Sequence, residues 1–145
     1  MAKSIALGCD HVGLLLKEPI KKYLNESGYE VLDIGTNTQT SVDYPVFAVE
    51  VCNLIKSGKC ETAILFCGTG VGMSIAANKM KDIRAVVCSE PYSAKMAKEH
   101  NDANVLTLGS RVIGVELAKT IVDTWLGAEF EGGRHARRVD MLEKD

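Results

Sequence analysis

No C-x-x-C pair occurs in these 145 residues, and the five cysteines, Cys9, Cys52, Cys60, Cys67 and Cys88, are odd in number. Neither a disulfide framework nor a zinc site is indicated, and reduced thiols are the default. Long apolar runs are missing as well: none approaches the roughly 18 residues of a membrane span. The opening MAKSIALGCDHVG lacks the apolar core and small-residue cleavage site of a secretory signal, so the cytoplasm is the expected compartment. An excess of one charge is also missing, with 17 basic against 19 acidic residues and a formal net charge of -2. That balance removes the electrostatic reason to expect a nucleic-acid partner. There is no internal repeat, low-complexity tract or composition break, so one domain over residues 1–145 is the working premise.

What is present is an ordinary globular composition, 46% hydrophobic and 25% charged, in a chain long enough to bury roughly 70% of its unfolded surface. Apolar runs of strand length recur at Ile5 to Leu7, Tyr29 to Ile34, Ala63 to Phe66, Ile83 to Cys88 and Val105 to Leu108. Between them, helical spacing puts Leu16, Ile20 and Leu24 on one face, then Phe47, Val51 and Leu54, and last Ala118, Ile121, Val122 and Trp125. Strands apolar on both faces, alternating with helices, predict a doubly wound α/β sandwich around a five-stranded parallel sheet. Pro19 falls inside the first helical stretch, where it removes a hydrogen bond at a cost of roughly 3 kcal/mol. A kink or a late helix start near Glu18 is expected there. The glycine-punctuated tail from about 127 to 145, ending RHARRVDMLEKD, has little apolar surface of its own and is expected to dock elsewhere.

Ligands of open α/β sheets collect beyond the carboxyl ends of the strands. Near the strand ends stand Cys9-Asp10-His11, the run Cys67-Gly68-Thr69-Gly70-Val71-Gly72, and Cys88-Ser89-Glu90, while His100-Asn101-Asp102 and Gly109-Ser110-Arg111 bracket the fifth strand. Several of these are expected to converge on one crevice. Three glycines at alternate positions before a helix allow close backbone approach and offer free N–H groups to an anion. The spelling counts against the common alternatives: no Gly-Lys-Ser/Thr follows as in a P-loop, and Met73 stands where a cysteine phosphatase has arginine and where a dinucleotide fingerprint has glycine, although Glu90 lies at the distance such a fingerprint's acidic residue would. A strand-to-helix turn without a ligand remains open. Cys67, ahead of that helix, is a candidate base or nucleophile, since the helix dipole favours a thiolate and Thr69 is placed to hydrogen-bond the sulfur. Burial in the core is the plainer reading for any cysteine, and Cys9, Cys52, Cys60 and Cys88 keep it. His100 can equally be a satisfied helix-terminal residue, and Asp10 a helix cap. Arg134, Arg137 and Arg138 can be a solvated face, although Arg134 and Arg138, at i and i+4, point the same way and suit a phosphate.

Taken together, GCDHVG, Asp43-Tyr44-Pro45, CGTGVGMSIAANK, the IRA at Ile83, HNDANVL, GSRV and EGGRHARRV resemble the type B ribose-5-phosphate isomerases of the RpiB/LacAB group, in order and over nearly the whole chain. The resemblance implies a flavodoxin-like sandwich that works as a dimer or tetramer, without metal or cofactor, with active sites shared between subunits. It implies Cys67 as carbon-acid base, Thr69 as its assistant and His100 as the ring-opening group. Asp10, His11, Gly68, Gly70, Val71, Gly72, Asn101 and Arg111 fall on substrate-contacting positions, and Arg134 and Arg138 on the phosphate grip. A second branch of the group has a glutamate base where this chain has Met73, so the chain looks like a member of the thiol branch.

The chemistry is consistent with that set. Aldose–ketose isomerisation needs a group to open the ring, a base to move a C–H proton between C1 and C2, and donors to hold the enediolate. Two alternatives stay open: a hexose 6-phosphate substrate such as allose or galactose 6-phosphate, and a non-catalytic sugar-phosphate sensor, which would have no use for a base. Tyr44 reads equally as a pocket, core or turn residue.

Overall fold

The computed structural model describes residues 3–38 and 40–144. Five strands, β1 (Ser4–Cys9), β2 (Glu30–Asp33), β3 (Thr62–Cys67), β4 (Ala85–Val87) and β5 (Val105–Gly109), form one sheet in the order β2-β1-β3-β5-β4, parallel throughout. The helices are α1 (Leu14–Glu26), α2 (Tyr44–Lys56), α3 (Val71–Asn78), α4 (Pro91–Asn101), α5 (Val115–Gly127) and α6 (Arg134–Leu142). The expected doubly wound class is what the chain adopts. Its strand order departs from the flavodoxin order 2-1-3-4-5 in one respect, since β5 rather than β4 lies beside β3. None of the described helices is long and apolar enough to cross a membrane.

Alternation along the central strands divides the core in two. Ile5, Leu7 and Cys9 of β1, Ile64 and Phe66 of β3, and Leu106 and Leu108 of β5 face α1 and α5. Ala6, Ala63, Leu65, Cys67 and Val105 face α2 and α3. Both faces are covered, which is why these strands read as unbroken apolar runs. Trp125, the single tryptophan, is fully buried on α5, and the Lys98 ammonium of α4 stands 4.2 Å over its ring.

Of the kink or late start expected at Pro19, the late start does not occur. Helix α1 begins at Leu14 and carries Pro19 inside it, so its start is not delayed to Glu18. The proline's cost of roughly 3 kcal/mol is outweighed by burial of Leu16, Ile20 and Leu24, each contributing about 1.5–3 kcal/mol.

The same helix buries Lys17 completely. Its ammonium lies 2.8 and 3.1 Å from the two carboxylate oxygens of Asp33, and 3.1 Å from Asn37 Oδ1. Lys21 donates to Asp33 as well, at 3.0 Å. Burial alone would raise the Asp33 carboxyl, but the hydrogen bonds from Lys17 and Lys21 outweigh it and hold the group below the ordinary carboxylate value. A carboxyl depressed on folding stabilises above its unfolded pKa, about 4, and that share is lost as pH falls through the folded value. Asp33→Asn leaves the buried Lys17 charge without its main partner, an expected cost of about 3–5 kcal/mol at neutral pH. Urea unfolding from pH 7 to pH 2 checks this: the variant is the less stable at pH 7, and the gap narrows below about pH 4.

Candidate active site

The carboxyl ends of β1, β3 and β5 meet in one place. Cys67 closes β3, and its Sγ accepts a hydrogen bond from the Gly70 N–H at 3.1 Å. Gly70 adopts a left-handed conformation, φ 82°, and a Cβ there would come within 3.0 Å of the Leu108 backbone and 3.1 Å of Val87; only glycine suits both conditions. The loop is fixed to β5, since Ser110 N donates to Cys67 O at 2.9 Å, Arg111 N to Gly68 O at 3.0 Å, and Thr107 Oγ1 to Gly70 O at 2.8 Å. These bonds set Arg111 over the glycine loop, where a Cβ on Gly68 would touch its side chain at 3.7 Å.

The expected hydrogen bond from Thr69 to the Cys67 sulfur is not made. Instead Thr69 Oγ1 accepts from Val71 N at 3.2 Å, as a short side chain does in a turn that enters a helix, and the sulfur takes the Gly70 N–H. Two of the loop's N–H donors are therefore spent inside the loop. In the first turn of α3, those of Gly72 and Met73 have no intrahelical acceptor and remain the anion donors.

Asp10 both caps and lines. Its Oδ1 accepts from Val12 N and Gly13 N, at 3.0 and 2.8 Å, at the entry to α1. His11 Nδ1 accepts from Val42 N at 3.2 Å, which leaves the ring proton on Nε2. Tyr44, the first residue of α2, closes on the loop, for a Cβ at Gly72 would lie 2.8 Å from its ring and 3.0 Å from its hydroxyl. The DYP motif was the signal for it. The remaining thiols are held protonated, burial being the main cause in each: Cys9 is pushed up to about 12, Cys52 and Cys88 to about 11, and Cys60 is raised.

His100, Asn101, Arg134 and Arg138 do not join this group within one chain. Helix α4 runs antiparallel to the strands, so its last turn, which carries His100 and Asn101, lies where the strands begin. Strand β3 alone spans about 17 Å at a strand's rise per residue, so of the strand-end residues, several of which were expected to share one crevice, His100 and Asn101 stand apart from Cys67 within one chain. A residue that precedes a parallel strand sits at the opposite edge from one that follows it.

That second edge has its own cluster. Helix α6 packs on α4 of the same chain, with the His135 ring stacked on His100 at 4.2 Å and 7° between planes. Glu131 N donates to Glu99 O at 3.0 Å, and Arg84 pairs with Glu143 at 2.7 Å. Arg134 and Arg138 are exposed on α6 beside this stack. His135 and Glu131 belong to the candidate residues that sequence reasoning missed. Their spacing of four was legible, but the basic run around them reads as a solvated face. Each chain thus presents a thiol-and-glycine half at one end of the sheet and a histidine-and-arginine half at the other.

A family model described as Ribose/Galactose Isomerase matches residues 5–142. The ribose-5-phosphate isomerase B of Escherichia coli (strain K12) is 58% identical over 140 residues, covering 97% of this chain and 94% of that protein. A D-erythrulose-4-phosphate isomerase of Pectobacterium atrosepticum is 46% identical over 140 residues, 96% of this chain and 92% of that one. Among solved structures, a ribose 5-phosphate isomerase of Thermotoga maritima superposes with a TM-score of 0.96 at 48% identity, over 99% of each chain. Ribose-5-phosphate isomerase B of Clostridium thermocellum gives 0.95 at 55% identity, over 97% of this chain and 95% of the other.

Proposed function

The chain belongs to the ribose/galactose isomerase family and is an isomerase, and from that premise we propose that it interconverts D-ribose 5-phosphate and D-ribulose 5-phosphate through an enediolate. The observation that carries the reading is the Cys67 sulfur held 3.1 Å from the Gly70 N–H at the head of α3, beside free N–H donors and Arg111. Cys67 acts as the carbon base, moving the proton between C1 and C2. The α3 N–H groups hold the enediolate oxygen as charge develops on it, each preorganised donor of this kind contributing roughly 10²- to 10³-fold. Thr69 fixes the loop by accepting from Val71, and Asp10 and His11 Nε2–H line the floor.

The other half of the machinery comes from a second copy. His100 takes the O1 proton and protonates the ring oxygen, Asn101 and the Arg134–Arg138 pair bind substrate and phosphate, and the tail carrying the two arginines docks against the neighbouring subunit. The placement of these groups at the far edge of their own sheet supports a homodimer, or a tetramer built from such dimers, in the cytoplasm. Phosphate binding remote from the reacting carbons helps fix them in place.

The functional test is isomerase activity with EDTA present. Ribose 5-phosphate is expected to turn over faster than allose 6-phosphate, galactose 6-phosphate or erythrulose 4-phosphate. No turnover of the pentose, with turnover of one of the others, transfers the assignment to that sugar. Failure on all four leaves only a sensor, and the proposal falls.

For the ring-opening role, His100→Ala is expected to lose about 10²-fold or more on the cyclic sugar and much less on an open-chain analogue that needs no opening. Equal losses on both substrates would remove His100 from that step.

A further inference from the structure

The mechanism gives His100 a task and leaves His135 and Glu131 without one. Yet the three side chains converge. Glu131 Oε1 lies 3.7 Å from His100 Nε2 and 3.5 Å from His135 Nε2, and the ligating atoms of all three fall within 4.8 Å of one another. Two imidazole nitrogens and one carboxylate oxygen bound to a zinc-sized ion at about 2.0–2.1 Å would stand about 3.4 Å apart in a tetrahedral site. The carboxylate already sits close to that spacing from both rings. What must change is the distance between the imidazoles, which are parallel with nothing between them. Tilting the His100 ring into a V with its neighbour closes the gap, and its side chain, 39% exposed, has the room to do so.

We propose that His100, Glu131 and His135 bind one divalent cation of the zinc, cobalt or nickel class, and that this occupancy switches the isomerase off by engaging the His100 ring. The switching half rests on the ring-opening role proposed for His100; the binding half does not.

Two of the three ligands are set in place beforehand. The backbone N–H of Glu131 donates to Glu99 O at 3.0 Å, and the backbone N–H of His135, a buried residue, donates to Gly132 O at 3.1 Å. Burial first, then the neighbouring His100 and Arg134, holds His135 below the ordinary imidazole range. Glu131 and the negative end of α4 attract a cation, while Arg134 and Arg138 oppose it. Nitrogen-rich ligation selects borderline metals over magnesium or calcium, which prefer oxygen throughout.

Cobalt(II) is the probe, because its visible bands report geometry and ligand type. Metal-stripped protein titrated with cobalt chloride is expected to bind one equivalent per chain. Activity should fall at least tenfold in parallel and return on addition of EDTA. His135→Ala and Glu131→Gln, the second nearly isosteric, should each weaken binding by at least the roughly 100-fold that loss of even an outer-shell partner can cost. Cys67→Ala should bind cobalt as the native protein does. No cobalt bands at millimolar metal, or unchanged binding in both ligand variants, overturns the site. A sulfur-to-cobalt charge-transfer band that vanishes in Cys67→Ala assigns the metal to the thiol and overturns it equally. Binding without inhibition keeps the site but overturns the switch.

Discussion

Cys67→Ala is expected to lower isomerisation by about 10²- to 10⁴-fold, the range over which a positioned base accelerates proton transfer, while leaving phosphate affinity nearly unchanged. No other thiol is suited to take over, since burial pushes those of Cys9, Cys52, Cys60 and Cys88 up. The phosphate grip is assigned to a separate part of the molecule, so kcat should fall with little change in the affinity for a competing phosphate ester. The substitution also leaves the Gly70 N–H without its acceptor, and a buried donor left unpaired costs about 1–3 kcal/mol of stability. Cys67→Ser separates the two effects, because the hydroxyl can accept from Gly70 but is far too weak an acid to serve as the base. Circular dichroism and thermal melting should find the serine variant close to native in fold. Assays should find both variants inactive. Near-native turnover by either one would remove Cys67 from the chemistry.

Mixing two inactive variants is expected to restore activity. If each site combines the Cys67 end of one copy with the His100 end of another, a dimer of one Cys67→Ala chain and one His100→Ala chain has one site with both groups intact. The second site in that dimer lacks both. Random re-assortment of equal amounts makes about half the dimers mixed, so roughly a quarter of native activity should appear, from two proteins that separately have almost none. The gain must require subunit exchange: chains denatured and refolded together should recover it, and chains refolded apart and then mixed should recover it only as slowly as dimers dissociate. No recovery after co-refolding would mean that the two halves never meet across an interface. The same arrangement predicts that specific activity falls on dilution below the dimer's dissociation constant.

Most of the fold was legible because it rests on periodicity. The apolar runs of β1, β3 and β5 and the stripes of α1 and α5 read correctly, for the residues that fill the core are the ones that set the pattern. Helix α1 shows the limit of local rules, since Pro19 argues for a late start that the burial of Leu16, Ile20 and Leu24 overrides. Lys17 could not be read at all as a buried charge, because its partner Asp33 lies on another element and only the fold joins them.

The site was legible in composition more than in arrangement. Cys67, the glycine loop, Asp10, His11 and Arg111 follow strands and were placed correctly at one edge. His100 and Asn101 precede β5, and the parallel topology sends them to the opposite edge. That inference was available from strand direction but not from motif content. The Cys67 hydrogen bond fell to Gly70 rather than Thr69 for a reason no spelling reveals: the left-handed turn at Gly70 points its N–H back at the sulfur. The stacking of His135 on His100 depends on how α6 folds back across α4, a long-range contact with no local signature.

Trp125 makes the molecule its own optical instrument. With one indole per chain, fully buried and capped by the Lys98 ammonium two residues before His100, indole fluorescence has a single source. Emission from the native state should be blue-shifted and should move to the red as the indole meets water on unfolding. Every variant discussed above can therefore be checked for an intact fold without a label, in the cuvette used for its assay.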